Sequence, residues 1–472
     1  MEPVYRSIAG IDVHKKMLAV VMRQEHDGQV RYTKRKFGTT RNEVEHLAAW
    51  LQHEQAAEVV MESTAQYWRP VWYGLESHFR LHLTHPLKTR APRGRKRDFR
   101  DAQRLADRWS SGDLNESFIP GAEQRSWRWL TRTRVQIKRK LGVIRSQVEG
   151  LLEQGGIKLA AVASDLFGVS GWAMPTQIAQ GETDATVLAA QARGCLRKKE
   201  EQLKEALAGQ LEPVYRLLLR QQMDQVELLW RQILEINTAL AGAMKQHTAA
   251  LHRLSKIPGV DVYAAQELLA EIGPTAAAFA SAEQFASWAG VCPGSQESAG
   301  ICYSHRSPKG NQYLRRLLCQ IAWAAIHTKD TFFAGLFGRL KPRIEGKGAA
   351  WAVAHRVAKV IWLVLHQGAE YREKGTAALN PRTLARKLRR LLRECAKAGI
   401  DAGELLAQTA PAPSRGDFRG CVRHEKPLWQ RPAYRSLIAP HYTSRPRAVW
   451  RAYQRRWSQR FHRARGLLPD RS

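Results

Sequence analysis

The chain has 472 residues, a length for roughly three domains, and its 44% of hydrophobic residues is enough for packed cores and excludes global disorder. Its 75 Lys and Arg against 43 Asp and Glu leave a net charge of +32, which is wrong for a small-molecule enzyme and calls for an acidic polymer as partner. Nucleic acid is the leading candidate, because each Lys or Arg placed on a phosphate releases a condensed counterion, and an anionic membrane surface is the rival. Against the membrane, the sequence shows no apolar run near 18 residues and no signal-peptide core, so the expected place is the cytoplasm, in association with the nucleoid. Cys195, Cys292, Cys302, Cys319, Cys395 and Cys421 form no CxxC pair and read as reduced thiols.

Residues 1–120 read as an α/β domain. YRSIAGIDVH, MLAVVMRQ and VRYTKRKFG are three β-rich runs separated by turn chemistry such as His26-Asp27-Gly28. An amphipathic helix over 41–54, a strand at 57–62, a helix over 66–77, a short strand near LHLTH and the helix RDFRDAQRLADRW follow. Three strands and then alternating helices and strands predict a mixed sheet.

Residues 121–250 are helical. The run from Leu196 to Met244 has apolar residues three and four apart with charges between, which predicts a long helical hairpin or coiled-coil arm interrupted near Pro213. Residues 251–375 form a separate, mainly helical module. Its Ile257-Pro258-Gly259-Val260 is similar to a helix-hairpin-helix turn whose amides hold a phosphate, although Asp261 stands where such turns repeat glycine. The loop CPGSQESAGICYSHRSPKGN, the helix QYLRRLLCQIAWAAIH and a helix over 348–371 complete it.

Residues 376–472 form an Arg- and aromatic-rich extension. From Pro411 it holds about fifteen Lys and Arg against three acids, interleaved with rings such as Trp429 and Trp457. Rings stack on bases while guanidiniums hold phosphates, so Arg451, Arg455, Arg456 and Trp457 are candidate nucleic-acid contacts.

In so basic a chain the carboxylates are informative. Asp12 ends the first strand and Glu62 the fourth; if those strands are parallel neighbours, both acids lie on one sheet edge. Asp98 and Asp101 project from one helical face, about 5–6 Å apart, flanked by Arg95, Lys96, Arg97 and Arg100, which suit a phosphate backbone. Four converging carboxylates need a cation, and hard oxygen ligands favour Mg²⁺ or Mn²⁺. Two such ions can clamp the attacking and leaving oxygens of a phosphodiester. In the later loop, Ser295, Ser298, Ser304 and Ser307 are all candidate nucleophiles. Ser298 has the small Ala299-Gly300 after it, and Lys309, Arg315 and Arg316 are candidate phosphate holders nearby.

GIDVHKK, MESTAQYW and GRKRDFRDAQRLADRW resemble the ribonuclease-H/RuvC-like domain of the DEDD transposases, the insertion-sequence 110 family. SKIPGV, AEIG, FASAEQFASWAGVCPGSQESAG and KGNQYLRRLL resemble that family's C-terminal transposase domain, and GIKLAAVASDLFGVSG the segment between. The resemblance covers residues 7–372 and assigns the extension no role. It implies that Asp12, Glu62, Asp98 and Asp101 are the metal ligands and that Ser298, in its ESAG motif, is the nucleophile. It further implies DNA strand exchange between donor and target through a covalent phosphoserine, guided by a structured non-coding RNA, in a homodimer or homotetramer whose subunits share active sites. A serine link keeps the energy of the broken phosphodiester, which a water-using nuclease would lose.

The expected architecture is therefore α/β plus all-α: a RuvC-like domain, a helical arm, a helical transposase domain and a basic extension. Two rivals remain. One is a RuvC-like junction nuclease with a structural serine, the other a non-catalytic RNA-binding protein. A sugar-kinase-like ATPase is disfavoured, since no second glycine-rich phosphate loop follows GIDVHKK.

Overall fold

The computed structural model describes residues 6–63, 65–84, 98–294, 296–298, 301–304 and 307–375, then 388–390, 392–396 and 398. It divides into two compact units, residues 1–121 and 122–472.

The first unit is built on five strands: β1 (Arg6–Val13), β2 (Leu18–His26), β3 (Gln29–Phe37), β4 (Glu58–Glu62) and β5 (Arg80–Thr84). Their order is β3-β2-β1-β4-β5, with β1, β2 and β3 antiparallel and β4 and β5 parallel to β1. Asp27 and Gly28, both at positive φ, make the two-residue turn between β2 and β3, as right-twisted hairpins prefer. Alternation along β1 sends Ala9, Ile11 and Val13 into a core shared with α1 (Arg41–His53) and α2 (Trp68–Leu75). Ile8, Gly10 and Asp12 face the other way, toward α3 (Asp98–Ser110), whose Leu105 and Ala106 pack on Ile8 and Val60. This mixed sheet with helices on both faces is compatible with the ribonuclease-H-like domain expected from the sequence.

The second unit is helical. α4 (Ala122–Gln154) and α6 (Pro213–Ala243) lie antiparallel, since Gln246 reaches Glu123 at 3.1 Å and Arg134 reaches Asn237 at 3.0 Å. Their seam is built of three- and four-residue steps: Ile137, Leu141, Ile144, Val148 and Leu152 meet Leu219, Met223, Val226, Leu229 and Ile233. The run from Leu196 does break beside Pro213, as expected: one helix ends at Ala206 and Pro213 starts α6, where its missing N–H costs nothing. The long partner of α6 is α4, however, and not the segment before Pro213. The segment between them folds into short helices and α5 (Val169–Gln180), which close the core around Met174, Leu188 and Leu203.

Next come α7 (Thr248–Ser255), α8 (Val262–Ile272), α9 (Ala282–Ala289), the hairpin β6 (Gln296–Ser298) and β7 (Ile301–Ser304), α10 (Gln312–His327) and α11 (Phe332–His366). α11 breaks at Ile344 and Glu345, the latter at φ 59°. By length and composition alone it could cross a membrane, contrary to the expectation of no long apolar run. Its most apolar window is 56% buried, however, and Val353, Val357, Ile361 and Leu365 are core residues, as suits a helix packed on α9 and α10. Among the described residues Cys195, Cys292, Cys319 and Cys395 are free thiols.

Candidate metal centre and serine hairpin

Gly10 decides where the metal centre lies. A β-carbon there would overlap the carbonyl oxygen of Ala102 and stand 3.0 Å from the Ala106 nitrogen, so only glycine lets α3 rest directly on β1. Two residues further along the same face of β1 is Asp12, and one turn back along α3 is Asp98. The far end of α3 is pinned twice. The Tyr32 hydroxyl donates to Asp107 Oδ1 at 2.7 Å, beside Arg23 at 3.3 Å, and Trp109 Nε1 donates to Glu58 at 2.6 Å. Burial and the bond to Asp107 push the Tyr32 phenol up from its ordinary value. Asp107 therefore fixes the helix and faces away from the centre.

The geometry brings together Asp12, His14 and Asp98. His14 Nε2 lies 3.1 Å from Asp12 Oδ2 and 3.4 Å from Asp98 Oδ1, and one ligand atom from each falls within 4.8 Å of the others. His14 is not among the ligands expected from the sequence, although its signal is present there: side chains two apart along an extended chain share a face, so Asp12-Val13-His14, at the end of β1, aims both groups the same way. Glu62, half-buried, ends β4, which pairs in parallel with β1 up to Ile11 and Met61, so its position is next to Asp12 on the same sheet edge. Asp101 accepts from Arg104 at 2.7 Å. Neither Glu62 nor Asp101 belongs to the tight trio. Arg100 is exposed on α3. Arg95, Lys96 and Arg97 lie outside the described residues, as do Arg451, Arg455, Arg456 and Trp457.

Among the described residues of the serine stretch, two short strands stand where the composition predicts a loop. Ser298 ends β6 and pairs with Ile301, and the register shifts by one between Gln296 and Glu297. Where the hairpin leaves the helices, Gly290 (φ 75°) and Gly310 touch: a β-carbon on Gly310 would stand 2.5 Å from the Gly290 nitrogen. Ser307 Oγ accepts from Trp351 Nε1 at 2.8 Å, which gives that serine a structural task. Asn311 caps α10 through Tyr313 N and Leu314 N, and its amide donates to Glu271 Oε2 at 2.6 Å.

Glu271, almost fully buried, also takes both guanidinium arms of Arg132 at 2.8 and 2.9 Å. Arg128 donates to the Ala270 and Glu271 carbonyls, and burial lowers its pKa to about 10 against the pull of the Glu271 carboxylate. Arg134, fully buried, donates to Asn237, to Gln266 and to the Tyr263 carbonyl, so a charged layer sits within the α4–α6 seam. The Tyr263 phenol is pushed up to about 12, chiefly by burial.

The remaining candidates are placed as follows. Lys309 is exposed. Arg315 donates to the Pro308 carbonyl and stacks 4.7 Å over Trp351. Arg316 bonds Glu267 and Gln320, both at 2.7 Å. The Ile257-Pro258-Gly259-Val260 turn departs from a phosphate-binding hairpin. Gly259 presses on the α10 backbone at Ile321, and the Asp261 carboxylate caps α8 by accepting from Ala264 N at 2.7 Å. An acid already occupies the helix end that a phosphate would need.

Comparison with known proteins agrees with both halves of the chain. Residues 251–334 match the family model described as "Transposase IS116/IS110/IS902 family", and residues 9–156 match the DEDD model of insertion-sequence 110, described as "Transposase". The chain is 31% identical over 162 residues to the "Insertion element IS900 uncharacterized 42 kDa protein" of Mycobacterium paratuberculosis, an alignment covering 32% of this chain and 40% of that protein. It is 28% identical over 150 residues to "Putative transposase y4pF/y4sB" of Sinorhizobium fredii, covering 29% of this chain and 38% of that one. The chain thus spans about two fifths of the length of these relatives. The two models match in order along the chain, over residues 9–156 and 251–334, and both describe transposases, so the chain is similar in both stretches to the IS116/IS110/IS902 family.

Proposed function

We propose that the protein moves a DNA element by breaking and rejoining strands through a covalent link to Ser298. The observation that carries this reading is the meeting of Asp12, His14 and Asp98, which gives a divalent cation two carboxylate oxygens and an imidazole nitrogen at the end of β1. The donor set fits the metal that a DEDD transposase implies. Asp12, His14 and Asp98 would hold it, with Glu62 on the neighbouring strand end and Asp101 on the same helix as further carboxylates. When bound, Mg²⁺ or Mn²⁺ supplies charge stabilisation to a phosphodiester undergoing displacement.

The chain's own groups supply the rest. The Ser298 hydroxyl loses its proton and attacks phosphorus. A bond from serine oxygen to phosphorus forms, the bond from phosphorus to the departing DNA oxygen breaks, and that oxygen leaves as a hydroxyl after taking up a proton. A hydroxyl of the second DNA partner then displaces the serine, which regains its proton, so one phosphodiester is exchanged for another without ATP. Lys309 and Arg100, both exposed, would hold flanking phosphates. The net charge of +32 supports simultaneous binding of DNA and a structured guide RNA. The polar-faced α4–α6 arm, with Leu217 and Leu218 exposed, would serve assembly into a dimer or tetramer.

The test incubates the full chain with Mg²⁺, labelled donor and target DNA and the non-coding RNA encoded beside the gene, then resolves protein–DNA adducts under denaturing conditions. The expected result is an adduct in the wild type and none in S298A or D12N. Cleavage without any adduct would overturn the serine step and leave a metal-dependent nuclease.

A further inference from the structure

β3 carries basic side chains along an exposed edge, and its register shows which of them share a face with the metal centre. Asp12 pairs with Ala19 across β1 and β2, and Ala19 pairs with Lys36 across β2 and β3. Gly10, Val21 and Lys34 form the next row. Residues paired across a sheet point to the same side, so Lys34 and Lys36 lie on the face of Asp12 while Arg31, Thr33 and Arg35 lie on the opposite one. Two strand spacings put the Lys36 backbone about 10 Å from that of Asp12.

The two lysines differ from the other charges on this face. Glu25 is paired with Arg23 at 2.7 Å, and Asp107 is held by Tyr32 and Arg23. The Lys36 ammonium stands 5.5 Å over the ring of Phe99, the residue after Asp98, so it sits beside the start of α3 where Asp98 meets His14. Lys34, Lys36 and the turn residues Lys15 and Lys16 are exposed, and Thr39 ties the end of β3 to that turn by donating to the Lys15 carbonyl at 3.1 Å. On the opposite face, Arg35 lies over Phe37.

We propose that Lys36 and Lys34 hold the phosphates of the DNA strand that reaches the Asp12–Asp98 centre, with the β3 edge as its track. The proposal rests on the reading of that centre as a DNA-processing site. Charge complementarity identifies the occupant: a lysine row about 10 Å from the carboxylates would hold a polyanion whose reacting phosphate reaches the Asp12–Asp98 centre. The bland rival is that edge lysines only guard β3 against pairing with another chain.

The experiment measures binding of a fluorescein-labelled 30-base-pair duplex to the full chain by anisotropy, in EDTA so that no strand is cut, across a salt series. The expected result for K34A/K36A is a fall of about 2 in the slope of log K against log salt, and for K34R/K36R a return of the wild-type slope. R31A/R35A, on the other face, keeps the wild-type slope. An unchanged slope in K34A/K36A overturns the proposal, and added aggregation with that unchanged slope is the signature of edge guarding. A slope change with an RNA stem-loop of equal length but none with DNA also overturns it. If the wild type binds no DNA at all, the functional reading fails first and this proposal with it.

Discussion

Gly10 lies directly beneath Ala102, with no room for a β-carbon between strand and helix. The contact sets the height of α3 over β1 and, through one turn of helix, the approach of Asp98 to Asp12. G10A must push α3 away at a cost of about 1–3 kcal/mol. A displacement near 1 Å at Asp98 costs on the order of a hundredfold in a reaction that needs the carboxylates aligned. The expected outcome is a lowered thermal midpoint together with weakened Mn²⁺ binding at temperatures where the variant is still folded. L105A, which opens a cavity under the same helix away from Asp98, should lower the midpoint and keep the Mn²⁺ affinity.

His14 gives the centre a nitrogen donor, which Mn²⁺ accepts more readily than Mg²⁺ does. H14A should therefore raise the Mn²⁺ dissociation constant about tenfold and change Mg²⁺ binding much less. Competition of the two ions read by Mn²⁺ electron paramagnetic resonance checks this without any turnover. Equal losses for both ions would remove His14 from the ligand set, and D12N should lose both.

Glu271, on α8, joins three side chains: Arg132 and Arg128 on α4, and Asn311 at the base of the serine hairpin. Deleting its carboxylate leaves Arg132 with a desolvated charge, so E271A should cost about 3–5 kcal/mol in urea unfolding. Replacing both partners at once removes the stranded charge. R132M/E271L should recover at least half of that loss, and a strictly additive double variant would show that the two groups do not act as a pair.

What the sequence made legible followed from patterns with a fixed period. The Val-, Ile- and Ala-rich strands, the Asp27-Gly28 turn and the Leu47, Leu51 stripe of α1 each carry their own local signal. Asp12 and Glu62 end neighbouring parallel strands, β1 and β4, as the order of elements already suggested. Other features depended on contacts far apart in the chain. Nothing local says that α6 takes α4 as partner instead of the charged segment before Pro213, since both have apolar residues at helical spacing. The hairpin at 296–304 was hidden by serines and glycines that read as loop, and its two short strands are closed by the distant contact of Gly290 with Gly310. The bond of Arg316, a candidate phosphate holder, to Glu267 at 2.7 Å likewise joins two helices far apart in the sequence and leaves no local pattern.

Ser298 and Ser307 sit nine residues apart in the same stretch and should separate cleanly on substitution. Ser307 accepts a hydrogen bond from the half-buried Trp351 indole, so S307A strands one donor and should cost about 1 kcal/mol of stability. Its adduct formation with DNA should stay within about threefold of the wild type at a temperature where both are folded. S298A leaves the backbone pairing with Ile301 at the hairpin end in place, so its thermal midpoint should stay near that of the wild type while the adduct disappears. S298C discriminates further, because a thiol in that place can still attack phosphorus and would leave a thiophosphate-linked adduct. An adduct that persists in S298A and vanishes in S307A would exchange the roles of the two serines, and with them the assignment of the nucleophile.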